Sequence, residues 1–330
     1  MTDSPRVLHV NDCADVGRLL VAAGRRRGWP WDLLGPERLR PPGGFRPGVA
    51  GRARSAAYVA RLVGEVARHD VLHLHYANTH GLVAKPWVPR RPYLLTLHGT
   101  DIREQWLDPR LRDGIQRAID GAHRVYYTNV DTRENAEAAR PDAVYRPQYV
   151  DPTRLRPWAP RAGRPRYVAF ASRWDDAKNA RGQLDFVARL RRALPSDVRL
   201  EGLDWGPYAA DAAALGVTLR ARLAHPDFID WLAGASLVVG QATGILAVSE
   251  LEPIAMGAPV VVPHPLLPVP AGEHVVLHGE PDAMVEAAVA AVAEPSSVPS
   301  TSVGPDWVLG WFVADRWVED FGQDYLAARS

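Results

Sequence analysis

The stretch "GQATGILAVSELEPIAMGAPVVV", residues 240–262, leaves one apolar segment and enters another through a short helical pattern. Gly244 marks a turn, two to three helical turns follow, Gly257 stops the helix, and Pro259 to Val262 reads as a buried strand. A strand, helix, strand unit of this length is a crossover between parallel strands. Backbone amides near Leu246, Ala247 and Val248 open the helix, with its dipole behind them, and so face an anion. Glu252, toward the second turn, is placed either to accept from a ribose diol or to sit in solvent on the helix surface.

The same alternation extends in both directions. Apolar runs "RVLHV", "VLHLHY", "YLLTLHG", "RVYYTN", "RYVAFAS", "VRLEGLD", "LVVGQA" and "APVVVP" are separated by helical spacing at 15–27, 54–68, 108–120, 179–194 and 282–292. This predicts an α/β protein with parallel sheets covered on both faces. Residues 147–165, rich in proline and arginine, interrupt the pattern, which then restarts, so each half reads as a Rossmann-like unit. The expected domains are 1–155, 156–304 and a terminal helical segment 305–330. That segment follows a low-complexity linker, 295–305, and either packs back on the first domain or closes the second. Residues 35–51 read as a long loop.

Composition narrows the class. The 330 residues are 47% hydrophobic and 23% charged, an ordinary globular balance. Cys13 is the single cysteine, which excludes an internal disulfide framework. No apolar run reaches the ~20 residues that span a bilayer, and no signal-peptide pattern opens the chain, so the expected location is the cytoplasm. The net charge of +1 hides a division: residues 1–160 carry 25 basic and 17 acidic side chains, the remainder 14 and 21. A basic first half fits an anionic ligand, or attraction between the two halves. "RRRGWPWDLL", residues 25–34, mixes arginine with tryptophan and admits peripheral membrane contact.

Of the 39 Lys and Arg residues only Lys85 and Lys178 are lysine. Lys178 lies five positions after Arg173 in "FASRWDDAKNARGQ", residues 170–183, where a strand runs into a helix. Ligands of open parallel sheets sit at such carboxyl ends. There arginine grips phosphate oxygens with two donors, and lysine adds a mobile charge against a departing diphosphate. His98 ends another strand in the same way, beside Gly99, and is able to donate to a hydroxyl or phosphate. No G-x-G-x-x-G follows the first strand, which counts against a dinucleotide-dependent oxidoreductase.

These stretches together resemble glycosyltransferase family 4. Its pattern of arginine and lysine five apart is met by Arg173 and Lys178, its "L-E-A-M-A-x-G-x-P-V-V" by "LEPIAMGAPVV" at 251–261, its "H-G-T-D" by "TLHGTD" at 96–101, and its second glycine-rich loop by "GLDWGPY" at 202–208. The resemblance covers most of the chain in the right order. It implies a GT-B fold, two Rossmann-like domains facing a cleft, and a retaining, metal-independent transfer from a nucleoside-diphosphate sugar with no further cofactor. It places the donor on Arg173, Lys178, Gly244, Ile245, Leu246, Ala247 and Glu252, with His98, Arg173 and Lys178 catalytic. Asn11, Asp12, Gly17, His75 and Asp101 fall where a polar or anionic acceptor is held; Asp12 and Asp101 are also placed to cap helices. Nucleic acid is not an expected partner, and the oligomeric state is not legible.

Two departures stand out. The family's glutamate eight positions before the ribose-binding one is Gly244 here, and Glu250, two residues from Glu252, lies on a different helix face. The donor sugar is then held by other groups, Gln241 or Thr243 among them, or the donor is an unusual one, or the protein binds a nucleotide-sugar without transferring it. The first loop, "NDCADVG", lacks the family's paired glycines and keeps only Gly17. His73 and His75 alternate on one strand face with His80 following, which reads as buried strand histidines more readily than as a metal site.

Overall fold

The computed structural model describes residues 4–39, 49–160, 165–270 and 274–330. Most of the expected 35–51 loop therefore lies outside the described residues; its start forms a 3-10 turn, Pro36–Arg38. Contacts divide the chain into one unit of Met1–Tyr149 with Ala314–Ser330 and a second of Val150–Val313.

Along the first unit run β1 (Val7–Val10), α1 (Val16–Arg26), β2 (Trp31–Leu34), α2 (Val49–Arg68), β3 (Val71–His75), α3 (His80–Val83), β4 (Tyr93–Leu97), α4 (Pro109–Asp120), β5 (Arg124–Tyr127), α5 (Arg133–Ala139) and β6 (Val144–Tyr145). The second contains β7 (Tyr167–Phe170), α6 (Ala180–Ala193), β8 (Arg199–Leu203), α7 (Ala209–Ala214), β9 (Val217–Arg220), α8 (His225–Ala233), β10 (Leu237–Val239), α9 (Val248–Ala255), β11 (Val260–Val262), β12 (Leu277–His278), α10 (Pro281–Ala293) and α11 (Gly304–Trp311). A final helix, α12 (Ala314–Arg329), belongs to the first unit.

Both sheets have six parallel strands, ordered β2-β1-β3-β4-β5-β6 and β12-β11-β10-β7-β8-β9. Each is a doubly wound, Rossmann-like sheet. Strand order reverses between β1 and β3 in one and between β7 and β10 in the other, and the carboxyl ends of those pairs are where such sheets bind ligands.

The terminal segment 305–330, expected as one helical piece, is two helices. Trp307, Val308 and Phe312 bury in the second core, and the Phe312 carbonyl accepts from Val150 N at 2.7 Å. Val318, Phe321 and Tyr325 bury in the first. Burial against two different cores outweighs continuous helical propensity here. The "RRRGWPWDLL" segment is the end of α1 and edge strand β2. Trp31 is buried, Arg25 pairs with Asp32, and Arg26 and Arg27 pair with Asp315, so these groups serve the fold of the first unit.

One face of the first sheet is unusually polar. In register, His9 sits opposite His73, and His75 opposite Thr96, which faces Tyr126. Cross-strand partners share a face, so these side chains line the side covered by α1 and α12, among Val7, Leu94, Phe321 and Tyr325. His9, His73 and His75 are fully buried and His98 is 8% exposed. Burial holds His9 and His98 down to about 3 and His73 and His75 well below the usual histidine range, so all four are neutral.

The loop after β1 solves its missing glycines by strain. Asn11, Ala14 and Asp15 have φ of 73°, 51° and 61°, the left-handed region that glycine enters without cost. Ala14 is exposed, so nothing but its own methyl opposes that geometry. Ala14→Gly should therefore stabilise the protein by about 0.5–1 kcal/mol, the left-handed penalty less glycine's added unfolded-state entropy; a melting temperature at or below that of the parent would contradict this.

The histidine face also sets a pH dependence. Unfolded histidines take up protons near pH 6.5 while these four do not, so stability is lost as pH falls below about 6.5, at ~1.4 kcal/mol per pH unit for each. Asp101, raised to about 6 chiefly by burial, opposes them between about pH 4 and 6, because the folded state then holds the extra proton. The histidines outnumber it, and the urea midpoint of the transition that unfolds the first unit should drop steeply between pH 7 and 5. A flat profile would show that the four are not buried in neutral form.

Candidate functional site

The second unit's site is built where β7 and β10 diverge. After β7 the chain turns sharply. Trp174 is fully buried, its ring N–H donating to the Leu203 carbonyl at 3.0 Å, and this fixes its neighbour Arg173 at the strand end. Arg173 pairs with Asp175, and its guanidinium lies 5.7 Å from the ring of Trp205, which Arg222 approaches from 4.5 Å. Trp205 belongs to the glycine-rich loop after β8 and is 39% exposed. Lys178 ends the 3-10 turn Asp176–Lys178, half-buried. The next residue, Asn179, is left-handed (φ 51°), caps α6 through Gly182 N, and donates to the Ala242 carbonyl at 2.7 Å. That bond ties the lysine loop to the loop after β10.

Glu250, which the resemblance leaves without a role, organises the other side. Its carboxylate is fully buried and accepts from five donors: Ser172 Oγ (3.0 Å), Gln241 N (3.2 Å), Gln241 Nε2 (3.3 Å), Ala247 N (2.9 Å) and Ser249 Oγ (3.0 Å). It thus fastens the ends of β7 and β10 to the start of α9. The Ala247 amide, expected to face an anion, is consumed by this cap. Glu250 N donates back to the Ala247 carbonyl (3.0 Å), which leaves the Val248 and Ser249 amides of the first turn of α9 without an intrahelical acceptor. Ile245 is buried, and Leu246 packs against the hydrophobic core.

Gly244 has φ 74°, and a Cβ there would lie 2.5 Å from the Pro265 carbonyl oxygen and 3.0 Å from His264 Nδ1. No glutamate fits without moving that segment. Instead, Gln241 Oε1 and Thr243 Oγ1 are buried polar atoms with no hydrogen-bond partner among the described residues. Glu252 is 4% exposed and lies 2.7 Å from His225 Nε2, so it is a partnered, buried carboxylate rather than a solvated one. A cavity of about 330 Å³ lies elsewhere, lined by Tyr167 and Arg199 at the starts of β7 and β8.

In the first unit most of the residues expected to meet an acceptor carry structural bonds. Asp12 accepts from Gly17 N (2.9 Å) and Asn11 Nδ2 donates to the His75 carbonyl (3.0 Å). Gly17 is required because a Cβ there would come within 3.0 Å of His75 Nε2. Asp101 is fully buried and accepts from the backbone amides of His98, Gly99, Ile102 and Ala77, at 3.0 to 3.1 Å. It is the clamp that shapes the turn after β4. His98 Nδ1 has no partner among the described residues.

Behind His98 the imidazoles are chained. His98 Nε2 is 3.2 Å from His75 Nδ1, and His75 Nε2 is 3.1 Å from His9 Nδ1. His9 Nε2 is 3.3 Å from the Tyr325 hydroxyl, which is 2.5 Å from His73 Nδ1, whose Nε2 is 2.7 Å from Thr96 Oγ1. His80 is not part of the chain; its ring packs on Tyr93. His9, His73 and His75 offer nitrogens within 4.8 Å of one another, a spread a metal ion is able to bridge, though each of their ring nitrogens already has a hydrogen-bond partner. His9 and Tyr325 were not legible in sequence, because each lies in an ordinary apolar pattern and only register and the return of α12 bring them together.

No protein-family model matches the sequence, and no curated protein matches it. Among solved structures the chain is similar to HepE from Anabaena in complex with UDP and glucose (TM-score 0.70, 13% identity, 98% of this chain and 100% of that one). It is also similar to sucrose-phosphate synthase from Thermosynechococcus elongatus (0.69, 14%, 98% and 100%) and to AviGT4, a glycosyltransferase involved in avilamycin A biosynthesis (0.63, 17%, 98% and 98%). At these identities the likeness is one of fold, and over its whole length the chain has the GT-B architecture of two Rossmann-like domains.

Proposed function

We propose that the protein is a glycosyltransferase that moves a sugar from a nucleoside-diphosphate sugar to a polar or anionic acceptor, with retention of configuration and without a metal ion. The observation that carries this reading is the convergence at the β7/β10 divide. There Arg173, the Lys178 loop and the start of α9 are held together by Asn179 and Glu250. A diphosphate needs positive charge and free amides in one place, and that is what this arrangement offers. As the bond from the sugar's anomeric carbon to the diphosphate breaks and a new one forms to the acceptor hydroxyl, charge collects on the leaving group. Arg173 and Lys178 offset it in the role a metal ion has elsewhere. Glu252 is the ribose acceptor, held in place by His225, and Gln241 Oε1 and Thr243 Oγ1 take the sugar contacts that a glutamate at 244 would make. The basic first half suits an anionic acceptor. Structural neighbours crystallised with UDP and with UDP-glucose support the donor class.

Gly244 favours one other reading, a protein that binds the nucleotide-sugar without transfer. The two separate in a single experiment with UDP and UDP-glucose. Both readings predict a higher melting temperature in UDP, while only the first predicts glucose transfer or slow hydrolysis. Absence of any shift with UDP-sugars and with other nucleoside diphosphates would remove both.

For the transfer reading, Lys178→Ala should lower kcat by about 10² to 10³, the usual cost of removing one group that stabilises developing negative charge, while the melting temperature without ligand stays unchanged. Turnover equal to the parent would take Lys178 out of the mechanism.

A further inference from the structure

The chain from His98 to Thr96 contains six groups, and their protons can be counted. His98, His75, His9 and His73 are neutral and carry one ring proton each, and Tyr325 and Thr96 carry one hydroxyl proton each. Burial holds the Tyr325 hydroxyl well above its ordinary range, so it keeps that proton. Six protons serve five hydrogen bonds. Each inner group has a partner on both sides, so with every bond made the surplus proton belongs to one of the two ends. Only two arrangements exist. In one, every imidazole is protonated on Nδ1, the Thr96 hydroxyl donates inward, and His98 Nδ1 presents an N–H. In the other, every imidazole is protonated on Nε2, His98 Nδ1 presents a lone pair, and the Thr96 hydroxyl proton is left over.

The two ends are not equivalent. Thr96 is 2% exposed in mid-strand, and its hydroxyl has no hydrogen bond other than the one to His73 among the described residues. A surplus proton there is a buried donor without an acceptor, which is strongly disfavoured. His98 Nδ1, at the carboxyl end of β4, is also buried and has no partner among the described residues in either arrangement, so the Nδ1–H form leaves one polar group unpaired while the Nε2–H form leaves two, that nitrogen's lone pair and the Thr96 proton. We propose that His75, His9, Tyr325, His73 and Thr96 form a positioning relay that locks His98 in the Nδ1–H tautomer, making its free nitrogen a fixed neutral donor toward a ligand oxygen. That the oxygen belongs to the transferred sugar or its phosphate rests on the function proposed above; the tautomer does not.

The relay explains three features that are otherwise separate. Gly17 leaves room for the His75 ring, a tyrosine from the last helix is inserted between two strand histidines, and a polar face survives inside an apolar sheet. It also differs from a single second residue behind a catalytic histidine. Since all bonds point one way, no imidazole in the chain is free to turn its tautomer alone.

Nitrogen-15 NMR of the full chain with labelled histidine, at pH 7.5 and without substrate, tests this directly. All four buried imidazoles should show a pyrrole-type, protonated Nδ1 and a pyridine-type Nε2, the reverse of the tautomer an isolated imidazole prefers. Protonated Nε2 on any of the four, an imidazolium, or metal-shifted nitrogens with a stoichiometric metal ion in the purified protein would overturn the inference. His75→Phe, close in shape, uncouples His98. Its spectrum should move toward the Nε2–H form, and with UDP-glucose as donor kcat should fall about tenfold at unchanged KM. His98 still locked as Nδ1–H in a folded His75→Phe protein would contradict the relay. Transfer by a chain whose histidines are Nε2–H would sink the relay and spare the function; Nδ1–H histidines without transfer would do the opposite.

Discussion

The second unit depends on one buried carboxylate. Glu250 has no ion pair among the described residues, yet five donors from the ends of β7 and β10 and the start of α9 converge on its two oxygens. A buried carboxylate is costly unless its lone pairs are filled, and here they are filled by the elements that must stay together. Removing the charge would leave two backbone amides, two hydroxyls and an amide side chain facing each other without an acceptor. The carboxylate therefore fixes where β7 ends, where the β10 loop departs and where α9 begins, and the Asn179 bond to the Ala242 carbonyl adds the Lys178 loop to that frame.

The first unit uses the opposite device. Its polar residues face inward as neutral imidazoles, each nitrogen but His98 Nδ1 matched to another ring or hydroxyl, so the sheet keeps a packed face without charged imidazoles. Asp101 plays the part of Glu250 at smaller scale, gathering four backbone amides at the β4 turn. Each unit thus uses one buried carboxylate, Asp101 or Glu250, to hold loops at its strand ends.

Much of this was legible in sequence because period and position are local. The apolar runs mark eight of the twelve strands among the described residues, and the Arg173 and Lys178 spacing picks out the loop that follows β7. What escaped depends on distance in sequence. The edge strands β2, β6, β9 and β12 are short and only partly apolar. Glu250 looked idle because, although four of its five donors lie within nine residues, only the folded turn aims them at one carboxylate, and Ser172 joins from 78 residues away. His9 and Tyr325 are 316 positions apart and share a hydrogen bond. Gly244 was read as a missing sugar contact; the Pro265 carbonyl beside it shows a backbone that has closed over that position, with unpaired Gln241 and Thr243 atoms left in the same loop. Asn11, Asp12, Gly17 and Asp101 were read for a ligand, and each turned out to bear a bond or a close contact that shapes its loop.

The central claim is that the donor end is a preorganised anion site held by Glu250, and calorimetric titration of UDP into the parent and into Glu250→Ala measures it. The parent should bind. The variant, folded by far-ultraviolet circular dichroism, should bind at least tenfold more weakly, about 1.4 kcal/mol or more. Equal affinity in the two proteins would mean that the carboxylate shapes the unit without shaping the site, and would contradict the account.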